Sequence, residues 1–484
     1  MTYELSRRRA LQLAALGAAS AVAGGVGLWR SAASRDELAA STGGGDLTMP
    51  EILASEGGLL QVHLEAAAGV RLAGQDTSAL GYNGTSPGPT LRLRPGDTLQ
   101  VDLANRLAEP TNLHVHGLHV SPEGNGDNVF IEVAPGETFA YEYRLPDDHP
   151  TGTFWYHPHR HGLVADQLYG GLAGAIIVAS DDAEGQFDEN RVLVVSDITL
   201  DEDGRVVQPS FQQRMMGREG RLLLVNGQVQ PTLTGRSGAR ERWRVVNACS
   251  SRFLRLRLDG TEFLVLGFDG IHAREPRQQQ EVVLAPGNRA DLAVEVASEG
   301  RYRLLTEPYD RGGMGRMMRG GGMTSERALL AVYDVAAEST SSTPLRWEAA
   351  EVEDLRDVAV DALRELVFDV GMGGGRGMRF MIDGREFDPD RVDTEVRMGA
   401  VEEWVLRNPS PMDHPFHLHV WSFEVLDAGD GPLQAPEWRD VINIPAGREV
   451  RIRVRFADFG GRTVYHCHIL DHEDLGMMSV IVAS

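Results

Sequence analysis

The sequence predicts an all-β protein built from three successive β-sandwich domains of one kind. Three observations predict it: short alternating strands bounded by turn residues, few stretches of helical period, and a strand-turn-strand pattern that recurs at intervals of roughly 150 residues. The first strand of each pattern closes on asparagine, at residues 97–105, 241–247 and 402–408, with Asn105, Asn247 and Asn408 at the ends. A Pro/Gly turn follows each time, Pro135-Gly136, Pro286-Gly287 and Pro445-Ala446-Gly447, and leads into a second alternating strand at 138–143, 290–294 and 450–454. A period of that size is too long for a solenoid unit and fits a repeated whole domain. The length of 484 residues agrees with three domains of about 150 residues each. The predicted divisions are 51–185, 186–340 and 341–484, preceded by an export segment at 1–34 and a polar, Gly/Ser-rich linker at 35–50.

The first 34 residues read as an address. Ser6-Arg7-Arg8-Arg9-Ala10-Leu11 sets paired arginines directly before an Ala/Leu/Gly/Val run ending at Leu28, the pattern of a twin-arginine export signal. An ordinary secretory signal and a retained N-terminal anchor are the alternatives. All three place the mature chain outside the cytoplasm: periplasmic, cell-surface or secreted. A twin-arginine route carries folded proteins, which suits a chain that takes up a cofactor before export.

Composition narrows the function. Hydrophobic residues at 42 % and charged residues at 24 % are ordinary for a soluble globular protein. A formal charge of −23 argues against nucleic acid as a partner and draws cations towards the surface. All 47 basic residues are arginine, which carries no functional reading. Two Gly/Met/Arg stretches, at 312–323 and 371–381, lack a usable hydrophobic period and read as loops.

Ten of the fifteen histidines fall into four short clusters. These are His114-Val115-His116; His157-Pro158-His159; His414-Pro415-Phe416-His417-Leu418-His419; and His466-Cys467-His468 with His472 and Met477 beyond. All lie in the first and third repeats. Side chains at i and i+2 of a strand leave the same face, so each His-x-His pair presents two imidazoles to one side. Four pairs supply eight imidazoles, more than one zinc ion takes and suited to a small group of copper ions.

The last cluster decides the class. If His466 and His468 face one side of a strand, Cys467 faces the other, and one tripeptide serves two metal sites. A thiolate, two imidazoles and a weak axial thioether make a blue-copper centre, here Cys467, His414, His472 and Met477. His417 and His419 then belong to the imidazole-rich site, and Cys467 joins the two sites covalently through the backbone to His466 and His468. With only two cysteines in the chain, a Cys249–Cys467 bridge is the competing reading. Cys249 otherwise reads as a buried apolar residue.

These residues resemble the three-domain multicopper oxidases, which include laccases, bilirubin oxidases and bacterial cuprous oxidases. The resemblance covers the whole mature chain, and the run from His466 to Met477 is its most specific part. It implies three cupredoxin-like Greek-key β-sandwich domains and four copper ions: one type 1, one type 2 and two type 3. It implies type 2 ligation by His114 and His417, and type 3 ligation by His116, His157, His159, His419, His466 and His468, in a trinuclear cluster between the first and third domains. Reduction of dioxygen to water consumes protons, and Glu473 and Asp127 look like the family's acids beside that cluster. An ordinary turn at residues 124–128 is an equal reading of Asp127. Val115 stands where many members of the family carry tryptophan, and His119 and His161 match no ligand position and read as supporting residues.

The ligands leave the electron donor open. A laccase-like oxidase of phenols and aromatic amines is narrowly favoured. Against it stands a cuprous oxidase serving copper tolerance, with soft thioethers collecting Cu(I) at Met314, Met317, Met318 and Met323 and at Met372, Met378 and Met381. A non-enzymatic scaffold on the same fold would have eroded ligands, and a copper nitrite reductase would have two domains and no full set of His-x-His pairs. The sequence shows neither feature.

Overall fold

The computed structural model describes residues 44–179, 185–313, 325–337, 345, 353–373 and 377–484, with the side chains of 372–377 left aside. The strands form three pairs of facing sheets, each pair drawn from one stretch of chain. In the first, Ile52–Ala54, Thr90–Leu93, Gly174–Val178, Gly152–His157 and His114–His116 lie in that order across one sheet. Leu80–Tyr82, Leu59–Ala68, Thr98–Asn105 and Thr138–Arg144 form the facing one. Each later pair, from residues 189–336 and 362–483, has six and five strands. The architecture is all-β and cupredoxin-like, as predicted.

The repeat has one physical basis in all three domains. The opening strand runs parallel to the strand that ends at asparagine, with Leu59 opposite Thr98, Glu189 opposite Glu241 and Ala362 opposite Glu402. The asparagine strand then pairs antiparallel with the strand after the Pro/Gly turn, Thr98 opposite Arg144, Arg240 opposite Glu295 and Val401 opposite Arg455. The asparagine side chain closes the joint. Its Oδ1 accepts the N–H two residues on, in Leu107, Cys249 and Ser410, at 2.9, 3.1 and 3.0 Å. Its Nδ2 donates across to the Val133, Leu284 and Ile444 carbonyls at 2.9, 3.0 and 2.8 Å. An Asx turn thus satisfies backbone groups that would otherwise be buried unpaired, and it steers the chain into the facing sheet. In the first and third domains the next strand of that sheet carries histidines.

Alternation fills each sandwich with the inward residues of both sheets, such as Leu99, Val101 and Leu103 in the first domain and Trp404, Ile452 and Val454 in the third. A further apolar cluster joins the domains, with Trp155, Leu168 and Ile177 from the first, Val194 and Val246 from the second, and Leu470 from the third.

One sequence expectation changes. The described residues of the stretch read as a loop at 371–381 are strand: Ala362–Gly373 and Gly377–Ile382 pair antiparallel, with Gly371 opposite Arg379. Glycine hides the period, but Phe380 and Ile382 alternate into the third core while Arg379 turns outward to Glu386. The segment read as a linker ends on the second domain, where the Leu47 N–H donates to the Thr232 carbonyl at 2.8 Å and Asp46 bridges Thr232. The export segment and the methionines at 314, 317, 318 and 323 lie outside the described residues. No helix among the described residues is long and apolar enough to cross a membrane.

Candidate metal centres

The two sides of one strand end carry the chemistry. Gly461–Cys467 pairs with His414–Leu418, setting Phe416 opposite Cys467 and His417 opposite His466. Cys467 Sγ lies 3.5 Å from His414 Nδ1 and 3.9 Å from His472 Nδ1. The Ile469 N–H donates to the sulfur at 3.4 Å. His472 rides on the short helix Leu470–Asp474, and Met477 is bound back into the same corner: its N–H donates to the His472 carbonyl at 2.9 Å and its carbonyl accepts from the Cys467 N–H at 3.0 Å. Ser410 Oγ sits 2.9 Å from His414 Nε2, which leaves Nδ1 for the sulfur side. All four candidate ligands are fully buried. Burial pushes the Cys467 thiol up and holds His414 down to about 3, with Arg311 adding to the latter. A buried thiol and two neutral imidazoles form a soft donor set that a soft cation satisfies.

Cys249 takes no part. It is buried in the second domain with Sγ 3.8 Å from the Val195 carbonyl, and both cysteines are free. The competing disulfide is therefore absent: Cys467 lies in the core of the third domain and Cys249 in the second domain.

On the other side, the eight imidazoles converge from four chain segments. His159 Nε2 and His419 Nε2 each lie 3.1 Å from His466 Nε2. His157 Nε2 lies 3.4 Å from His116 Nδ1, and the His468 ring stands 5.0 Å from that of His116. His114 stacks on His419 and His116 on His417, with centroids 3.9 and 3.8 Å apart. His114, His417 and His419 offer nitrogens within 4.8 Å of one another. His114 Nε2 and His417 Nε2 are buried and without a hydrogen-bond partner. One lone pair cannot serve several neighbouring imidazoles well, whereas a cation is shared by all of them, so the residues fit bound metal.

The two acids reach this cavity. Asp127 places both oxygens 2.9 Å from His114 Nδ1 and accepts the Val115 N–H at 3.1 Å. Its own N–H donates to the Ser121 carbonyl. Burial pushes the Asp127 carboxyl up to about 7. Glu473 Oε2 lies 3.0 Å from His466 Nδ1, and Oε1 3.6 Å from His159 Nε2. Burial alone raises this carboxyl, but the His159 and His466 imidazoles outweigh it and hold it down to about 2.

His119 and His161 stay outside the cavity. His119 ties the first domain to the third through the Val420 carbonyl at 2.9 Å and Asp458 at 3.0 Å, and His161 packs on Phe387. Three contributors were not legible in sequence. Phe380 stacks on His472 at 4.1 Å. Gly287, at φ +88°, brings the second domain so near the His468 ring that a Cβ would lie 2.8 Å from Nε2. Asp440 touches both His116 and His417. Only the alternation around Phe380 offered a signal.

Fold and site together define a multidomain copper protein of the cupredoxin kind. Family models for multicopper oxidase match residues 65–183, 189–320 and 362–484, and the chain belongs to the multicopper oxidase family. It is 28 % identical to the multicopper oxidase mco of Staphylococcus aureus, covering 92 % of this chain and 94 % of that one. It is also 28 % identical to a laccase of Bacillus stratosphericus, over 82 % and 89 %. Among solved structures, a Campylobacter jejuni multicopper oxidase described as a metallo-oxidase superposes with a TM-score of 0.81 at 30 % identity, over 91 % of this chain and 95 % of that one. The protein is an oxidoreductase, and its family implies copper, dioxygen and a reducing substrate.

Proposed function

We propose that the chain couples one-electron oxidation of a reducing substrate to four-electron reduction of dioxygen to water. In this reading His414, Cys467, His472 and Met477 hold type 1 copper, and His114 and His417 hold type 2. His116, His157, His159, His419, His466 and His468 hold the type 3 pair. Copper supplies the one-electron redox change and the reduction of dioxygen. The observation that carries the reading is the division of one tripeptide, with the Cys467 sulfur facing His414 and the flanking imidazoles facing the eight-histidine cavity. Asp127 holds a proton beside the ligand rings, and Glu473 stands ionised beside His466 and His159 as the acceptor for protons reaching the cavity. The buried walls exclude bulk water, so protons must pass through such groups.

Cu(I) is the donor that the geometry favours. His414 and His472 are both fully buried, which denies an aromatic donor an exposed imidazole edge. Phe380 stacks on His472, and Met215, Met216, Met378 and Met412 pack in or against the same apolar core as Phe380 and Cys467; thioethers suit Cu(I). The description of the Campylobacter jejuni relative as a metallo-oxidase supports the same choice. Phenols and aromatic amines form the second reading, favoured by the Bacillus relative named laccase. Oxygen uptake by copper-loaded protein, measured in parallel with Cu(I) and with a phenol, separates the two: faster uptake with Cu(I) is expected, and uptake with the phenol alone would overturn the choice. The paired arginines at 7–9 support twin-arginine export of the folded, copper-loaded chain.

A further inference from the structure

We infer that the second domain, which supplies none of the twelve ligands of the reading above, positions the eight-histidine cavity through Arg289 and Asp440. Arg289 holds Asp440, and Asp440 orients one imidazole proposed for type 2 copper and one proposed for type 3. The inference rests on the ligand reading above.

Asp440 acts on the two rings with different groups. Its Oδ1 lies 3.2 Å from His116 Nε2, and its backbone carbonyl accepts from His417 Nδ1 at 2.8 Å. An acceptor on one ring nitrogen places the proton there and bares the other. For His116 the bare atom is Nδ1, which faces His157 Nε2 at 3.4 Å. For His417 it is Nε2, buried and without a partner. The two rings stack at 3.8 Å and 11°, so a single residue fixes both members of a stacked pair.

Arg289 fixes Asp440 in turn. Its guanidinium donates from Nη1 to Oδ1 at 2.7 Å and from Nη2 to Oδ2 at 2.5 Å, a fork that allows one orientation of the carboxylate. The remaining donors are also anchored, Nε on the Thr153 carbonyl at 3.2 Å and Nη1 on the Gly287 carbonyl at 3.1 Å. The Arg289 N–H donates to Asp269 at 2.9 Å, and Asp269 also accepts from Asn288 at 2.9 Å. Thr153, Arg289 and Asp440 come from three different domains, so the pair sits at their common joint. Gly117, directly after His116 and at φ +86°, lies against Arg289 and Asp440 so closely that any side chain there would displace the pair. A left-handed turn without a Cβ is what lets the His116 strand meet this clamp.

The test compares wild-type holoenzyme with Asp440→Ala and Arg289→Gln. Each is dialysed against increasing chelator while the type 2 paramagnetic resonance signal, the copper content and the blue type 1 absorption are followed. The expected result is that both variants keep the blue absorption yet lose type 2 copper at roughly 10- to 100-fold lower chelator, the range for removing a residue that orients a ligand. Variants that hold type 2 copper as firmly as wild type would overturn the inference. So would simultaneous loss of blue and type 2 signals in both, which would assign the pair to folding alone. A wild type with no type 2 signal at all would instead refute the ligand reading.

Discussion

Cys467 directs its sulfur at His414 Nδ1, 3.5 Å away, while the residue before it, His466, turns its ring to the opposite face and meets His159 and His419 at 3.1 Å each. Strand alternation forces this division, since neighbouring side chains leave opposite faces. Two sites of different chemistry are thereby held at a fixed separation by peptide bonds. The helix Leu470–Asp474 then returns His472 to the sulfur side and Glu473 to the imidazole side.

Replacing Glu473 by glutamine removes a proton carrier and leaves the sulfur side intact. Oxygen uptake is expected to fall by roughly 100-fold or more, within the range for loss of a general base. Bleaching of the blue absorption by donor without oxygen should be unchanged, as stopped-flow absorbance can check. A parallel fall in the bleaching rate would contradict the assignment.

Phe380→Ala uncovers His472. A buried phenylalanine truncated to alanine costs about 3–5 kcal/mol, to be read from denaturant unfolding. The exposed imidazole edge should also raise oxidation of phenols relative to Cu(I). Unchanged selectivity would show that Phe380 does not gate the donor.

The metal-free protein should be acid-labile. Burial lowers the pKa of nine of the ten candidate ligand histidines, His157 and His414 to about 3 from an ordinary 6.5. Between those values the unfolded chain binds protons that the folded chain refuses. Stability is therefore present above 6.5 and lost as pH falls towards about 3. Asp127 and Asp440, raised to about 7, act in the opposite sense, because their folded forms retain protons. Burial also raises Asp474, Asp383 and Glu424, which act the same way, and the histidines outnumber these acids. Denaturant midpoints that fail to drop between about pH 6.5 and about pH 5 would contradict this balance.

Much of this was legible in the residues. The repeated asparagine strands and Pro/Gly turns announced three sandwiches because the Asx joint is local chemistry, readable from Asn105, Asn247 and Asn408. The His-x-His pairs and Cys467 were legible because strand alternation is a property of the chain itself. Asp440 and Arg289 were not, since their meeting depends on how three domains dock. Neither was the hairpin of Ala362–Gly373 and Gly377–Ile382, where Gly371 and Gly373 interrupt the hydrophobic period of the first strand although Met378, Phe380 and Ile382 still alternate in the second.

The most direct test of the two-faced strand is Cys467→Ser, with copper content and absorption measured on fully loaded protein beside wild type. The expected variant loses the blue absorption and one copper ion and keeps the type 2 resonance signal. A variant that stays blue, or one that loses the blue and type 2 signals together while still folded, would contradict the division of that tripeptide between two sites.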